Sequence, residues 1–437
     1  MRLKTPNVRP VHLALAAAAL LAGCADDILP GDRIPIRQVE QPLSETDPSA
    51  VRAVPIPAPV MNAEWTHHNG SAAGRLVNPA FAATPTLRWS VPIGEGDARR
   101  RRILTAPVVA GGLVYTIDAG GQITAVSQGG GQVAWTRSIV PKGQHADNGP
   151  GGGFAYAGNV LFVTTGFGQV MALDPRTGAQ IWSQPFEGPI RAAPTVSGGQ
   201  VFMVVRDDTG YALDAATGET NWFVRGVGGT GLLGGASPAT NGALAVFPFA
   251  SGEVLGIVAR NGLQVWGNAV TGGRRELARN AIVDVSGEPV IVGNTVFASN
   301  QSGRTIAIDA DTGERRWTAS EGSYGPVWPV GGSVFMVTDE GALARLDTET
   351  GQVVWRTDLP EYYNEEKRIE AISHYGPILA GGRLWVASAD ETLRSFDPGT
   401  GRQLGSVELP GGAGAPPAIA GGVMYVVTRD GNLLAFQ

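Results

Sequence analysis

From about residue 86 to the C terminus the chain alternates apolar runs of four or five residues with turns built on Gly-Gly, Gly-Asn or Asp-x-x-Thr-Gly. Runs such as Val160-Leu161-Phe162-Val163, Val170-Met171-Ala172-Leu173 and Val334-Phe335-Met336-Val337 are too short for helices, and glycine turns bound them, which predicts buried strands. The pattern is periodic. Tryptophans stand at Trp89, Trp135, Trp182, Trp222, Trp266, Trp317 and Trp355, at spacings of 46, 47, 40, 44, 51 and 38 residues. Four residues before each one after the first comes a glycine: Gly131, Gly178, Gly218, Gly262, Gly313 and Gly351. A seventh repeat keeps Gly401 and has Gly405 at the tryptophan position. Eight residues before that position stands an aspartate in five repeats (Asp174, Asp214, Asp309, Asp347, Asp397), with Ser127 and Val258 in the other two.

The Asp-x-x-Thr-Gly unit reads as a hairpin connection, because Asp can accept amides across the turn and Gly supplies the positive φ of its last residue. A strand lies on each side of it and a Gly-Gly hairpin upstream, so each repeat predicts a four-stranded antiparallel sheet. A period of this size with four strands per unit is that of a radial β-propeller. One outer-strand segment, Thr86 to Trp89, opens the array, seven full repeats follow, and Pro417 to Gln437 supplies three strands without a fourth. The prediction is an all-β fold: an eight-bladed β-propeller of four-stranded antiparallel blades, closed by the N-terminal strand. The repeat tryptophans are expected to dock on the neighbouring blade.

Upstream the pattern changes. Arg2, Lys4 and Arg9 precede an apolar run from Leu13 to Leu21, then Ala22-Gly23 and Cys24, the one cysteine in the chain. Residues 1–23 read as a signal peptide. Residues 24–64 are rich in proline and have little apolar period, so they read as a semi-extended tether able to reach on the order of 100 Å at ~3.1 Å per residue. Residues 65–437 are the propeller domain.

Composition narrows the function. The full chain has 33 Lys and Arg against 39 Asp and Glu, a formal net charge of −6, and removal of the signal peptide makes it −9. Nucleic-acid binding draws on clustered cations and is disfavoured. A single cysteine excludes a disulfide framework, a Cys-based zinc site and an iron–sulfur cluster. Gly226-x-Gly228-x-x-Gly231 spells the dinucleotide fingerprint, but it falls between strands with no helix after it. His67-His68, His145 and His374 have no metal-ligand spacing and read as loop or tether residues. Arg99 to Arg102 is a basic cluster that fits lipid headgroups, an acidic partner or a plain solvated loop. Arg274-Arg275-Glu276-Leu277 and residues 361–370 are the stretches with room for a short helical turn.

Leu21-Ala22-Gly23-Cys24 resembles the bacterial lipobox, in which the cysteine is lipidated; the alternative is an ordinary secretory peptide. Lipidation at Cys24 implies more than one acyl chain, the condition for stable anchoring. Ala25 after it, by resemblance to enterobacterial sorting, implies the outer membrane. The repeats resemble the tryptophan-docking repeats of quinone-dependent alcohol dehydrogenases and of the BamB family of outer-membrane β-barrel assembly lipoproteins. The dehydrogenase likeness covers the repeat alone, since those enzymes use a vicinal cysteine pair. The BamB likeness extends over the whole chain after the tether.

That second resemblance implies a non-enzymatic scaffold that needs no cofactor. It faces the periplasm and binds the periplasmic domains of BamA, with other assembly-complex members and unfolded outer-membrane proteins as further partners. It also implies two contact loops. Leu232-Leu233-Gly234-Gly235-Ala236-Ser237-Pro238 is similar to the family's Leu-Arg-Gly-x-Ser-Ala-Pro loop, with Leu233 where the pattern has arginine. Asp284-Val285-Ser286 is similar to its Asp-Val-Asp, with Ser286 at the second aspartate. Asp284 is expected to be solvent-exposed.

Loop lengths single out the same region. From outer-strand tryptophan to the next repeat's aromatic the gap runs from 18 residues (Trp317 to Phe335) to 31 (Trp266 to Phe297). All these outer-to-inner connections emerge on one face, and insertions confined to one face mark the binding face. The rival reading is a quinone-dependent dehydrogenase-like or small-ligand-binding propeller that uses the central channel.

Overall fold

The computed structural model describes residues 53–149, 151–228, 235–274 and 284–437. Among them the strands form eight four-stranded antiparallel sheets and one two-stranded hairpin. Seven blades are consecutive in sequence: blade 1 (108–138), blade 2 (152–185), blade 3 (195–225), blade 4 (239–269), blade 5 (285–319), blade 6 (328–358) and blade 7 (374–408). Blade 8 joins strands Ala418–Ala420, Val423–Val427 and Asn432–Phe436 to Leu87–Pro92. Trp89 pairs with Ala435 and Pro92 with Asn432. The amides of Thr86 and Gln437 each donate to the other's carbonyl, at 2.8 and 2.9 Å. The first strand of blade 1 lies against the first strand of blade 8, which closes the ring with the first strands innermost.

The repeat residues join blade to blade as their spacing predicts. Asp174 Oδ1 accepts the amides of Arg176 and Thr177 and the Thr177 hydroxyl, at 2.9 to 3.0 Å. Gly178 then closes the turn at φ 70°, and the bare backbone there matters twice, because a Cβ would sit 2.6 Å from the Trp135 ring of the preceding blade. Trp135 Nε1 donates to Pro175 O in that same turn at 2.9 Å. Trp182, Trp222, Trp266, Trp317 and Trp355 repeat the bond to the next blade's turn. Each tryptophan therefore buries apolar area and satisfies its N–H in one docking event. Trp89 differs, since its Nε1 is buried with no hydrogen-bond partner among the described residues.

Strand order sets the two faces. The turns between first and second and between third and fourth strands lie on one face; the second-to-third turns and the blade-to-blade connections lie on the other. The connections tie back to those turns: Ile139 N bonds Gly121 O, Phe186 N bonds Gly168 O, Val270 N bonds Gly252 O and Leu359 N bonds Gly341 O, at 2.7 to 3.0 Å.

Two segments depart from the expected organisation. Residues 361–370 belong to a hairpin, Tyr362–Asn364 with Ile369–Ala371, and contain no helical turn. Arg368 and Glu370 take positive φ and Asn364 Oδ1 caps the Lys367 amide, which favours a reversal over a helix. The tether expected to run to residue 64 gives way earlier, because Val54 and Ile56 already pack against the core of blades 6, 7, 8 and 1.

Candidate partner-binding face

Two regions bear on function: the axis of the ring and the connection face. At the axis, residues 62–79 visit the innermost strand or first turn of every blade in ring order. Asn62 O accepts from Gly421 N in blade 8, Trp65 exchanges two bonds with Val109 in blade 1, and Thr66 O accepts from Tyr156 N in blade 2. His67 Nε2 accepts from Val196 N in blade 3 at 3.1 Å. Ala72 O accepts from Thr240 N in blade 4 and Ala73 O from Ile291 N in blade 5. Val77 O accepts from Trp328 Nε1 in blade 6, and Pro79 O from Gly381 N after the first strand of blade 7. Trp65 stacks on Trp328 with ring centroids 6.5 Å apart, and both are buried.

This segment carries a polar cluster into the interior. His68 Nδ1 meets Glu288 Oε1 at 2.7 Å, Asn69 Nδ2 donates to Glu288 Oε2, and the Ser237 amide donates to Oε1 at 3.4 Å. Burial alone would push the Glu288 carboxyl up and the His68 ring down, but the mutual attraction overrides it: Glu288 lies below its ordinary value and His68 above. His67 has no acidic partner among the described residues, and burial takes its pKa down to about 4. The two histidines expected in a loop or tether are thus structural residues of the axis. No apolar period marks them, so the sequence gives no local sign of this.

His67 carries a pH signature. Its folded pKa lies below the ordinary 6.5, so the unfolded chain takes up a proton first and stability falls as pH drops from about 6.5 towards 4. Between pH 6.5 and 4.5 this one group is expected to remove about 2 kcal/mol. Denaturant unfolding at the two pH values should show that loss in the wild type and a loss smaller by that amount in His67→Asn. Equal losses would contradict the assignment.

On the connection face the structure places the predicted contact residues unevenly. Leu232, Leu233 and Gly234 lie outside the described residues. Asp284 directly precedes the inner strand of blade 5, Val285–Val292, and Val285 and Ser286 begin it. Asp284 is 8% exposed and Val285 4%, so the expected exposure of Asp284 is corrected. The strand's register is irregular between Val285 and Val290, which lets it start early and draws Asp284 down into the ring. Ser286 Oγ donates to Ser323 O at 2.8 Å. The other stem of this connection is held by Arg274, which bonds Asp339 at 3.1 Å and Glu321 at 3.3 Å. Of the basic cluster, Arg101 pairs with Glu95 and Asp147, Arg102 pairs with Asp97, and Arg99 and Arg100 are exposed.

The ends of the two predicted loops meet. Gly235 and Ala236 of the first and Asp284 and Val285 of the second line one cleft of about 50 Å³ between blades 3 and 4. Its wall includes a residue that the sequence reading missed, Asp208, in the second-to-third turn of blade 3. Asp208 has φ 58°, where Gly121, Gly168, Gly252, Gly303, Gly341 and Gly431 occupy the matching position in six other blades. An alignment of those turns would have shown the departure; the tryptophan-centred alignment looks at the opposite face.

Fold and site together define the protein as a tryptophan-docked eight-bladed propeller whose connection face carries a cleft between two loop stems. The family described as "Outer membrane protein assembly factor BamB" matches residues 119–357 and 346–437, and the chain belongs to that family. Among similar proteins, the outer membrane protein assembly factor BamB of Burkholderia pseudomallei (strain K96243) is 26% identical over 374 residues, 84% of this chain and 92% of that one. The one from Moranella endobia (strain PCIT) is 26% identical over 248 residues; the match spans 55% of this chain and 63% of that relative's length. The crystal structure of BamB from Moraxella catarrhalis superposes with a TM-score of 0.66 at 20% identity, over 81% of this chain and all of that one. The quinohemoprotein alcohol dehydrogenase from Comamonas testosteroni shares the fold at a TM-score of 0.64 and 15% identity, over 86% of this chain and 81% of that one.

Proposed function

We propose that the protein is a non-enzymatic, lipid-anchored scaffold at the periplasmic face of the outer membrane. It docks through its connection face on the periplasmic domains of BamA and so assists the assembly of outer-membrane β-barrel proteins. Family membership supports the assembly role. The observation that carries the docking site is the convergence of the two loop stems, Gly235-Ala236 and Asp284-Val285, on one cleft. The rival reading, a quinone or small-ligand propeller using the central channel, meets an axis where the chain's own Trp65, His67 and Asn69 are buried. Co-purification of BamA from detergent-solubilised membranes tests the docking.

Anchoring is tested separately. Cys24 lies outside the described residues, and its acyl chains are the membrane-binding element that the lipobox implies. Cys24→Ser is expected to move the protein from the membrane to the soluble periplasmic fraction with an unchanged melting curve. A variant still firmly membrane-bound would mean that a second anchor exists.

A further inference from the structure

The cleft between blades 3 and 4 holds a carboxylate with one oxygen left unbonded among the described residues. Asp208 is 2% exposed; its Oδ1 accepts the Ala250 amide at 3.0 Å, while its Oδ2 is buried with no hydrogen-bond partner among the described residues. A buried charged oxygen without a partner is costly, and so is a non-glycine residue at positive φ. Both occur in one residue, at a position where six other blades have glycine. Burial, with the charges of Asp284 and Glu253, pushes the Asp208 carboxyl above its ordinary value, against the pull of the Ala250 and Ser251 amides. An arrangement that raises the energy of one carboxylate this way is satisfied by an incoming cationic donor.

We propose that Asp208 is the receptor for a basic side chain, the tip of a lysine or arginine presented by the protein partner that docks on this face. The cleft, about 50 Å³, has room for the polar tip of a side chain. The charge balance agrees. The lining carries Asp208 and Asp284 against Arg191 and Arg206, and the charges that act on Asp208 itself are those of Asp284 and Glu253, both negative. The apolar walls, Pro189, Val205 and Phe249, exclude water from the contact and so strengthen it.

This inference rests on the proposal that the connection face binds BamA, and its test separates the two. Asp208→Asn keeps the Oδ1 acceptor and the size but removes the charge; Asp208→Gly restores the residue that six other blades use, so it folds even if the asparagine variant does not. Affinity for the purified periplasmic domains of BamA is expected to fall roughly thirtyfold or more in both, with melting temperature unchanged or raised. Wild-type affinity in both variants, with affinity lost in a variant altered at Leu232 and Asp284, would overturn the receptor while the face stands. Wild-type affinity in all of them would overturn both.

Discussion

Deleting residues 86–92 is expected to abolish the cooperative melting of the whole disc. The closing strand pairs with Asn432–Phe436 along its length, and the bonds between Thr86 and Gln437 complete the ladder. Trp89 packs beside Tyr425 at 5.9 Å and over Gly131 of blade 1, so the strand also seals the seam between blade 8 and blade 1. Truncating a large core aromatic alone costs about 3–5 kcal/mol, against a typical total stability of about 5–15. Loss of the whole strand adds an unpaired edge on Asn432–Phe436 and an open ring. The expected melting curve is broad and shifted down, with binding of a hydrophobic dye at temperatures where the wild type shows none. A single transition at the wild-type temperature would refute closure through the termini.

The second large effect is on binding. Leu232 lies beyond the first stem and Asp284 on the second, and the proposed contact joins an apolar anchor to a polar one. Interface anchors commonly contribute 2 kcal/mol or more each, roughly thirtyfold in affinity, so Leu232→Ala with Asp284→Asn is expected to weaken BamA binding by about a thousandfold if the losses add. The burial of Asp284 makes asparagine the better substitution than alanine, because it leaves no cavity at the start of the blade 5 strand. Circular dichroism and melting temperature should barely move. The control is Arg176→Ala, an exposed residue on the opposite face, which should bind as the wild type does. Titration of purified BamA periplasmic domains measures all three, and equal affinities would sink the site.

What could be read from the sequence was what is local. A tryptophan, a glycine four residues before it and an aspartate eight before it interact within one hairpin and the next blade, so their spacing survives in the sequence as a period. From that period come the strand order, the blade count and the closure by residues 86 to 89. The axis has no such period. Residues 62–79 make about one contact per blade, to partners up to several hundred residues away, and nothing in His67-His68-Asn69 announces Glu288. The proline-rich composition likewise points to a tether, whereas Val54 and Ile56 find apolar cover that only the finished ring supplies. Asp284 reads as exposed from its place in a long connection, and the irregular register of Val285–Val292 buries it. Asp208 is legible in principle, because it replaces a repeated glycine, but the tryptophan, glycine and aspartate that mark the period lie on the other face.

The most direct measurement is the recovery of partners from detergent-solubilised membranes, with the tagged wild-type protein as bait and the bound proteins identified by mass spectrometry. BamA is expected in the wild-type eluate, at near-equal amount to the bait. From the Leu232→Ala, Asp284→Asn eluate BamA is expected to be lost at an unchanged melting temperature. A wild-type eluate without BamA, from membranes that contain both proteins, would contradict it.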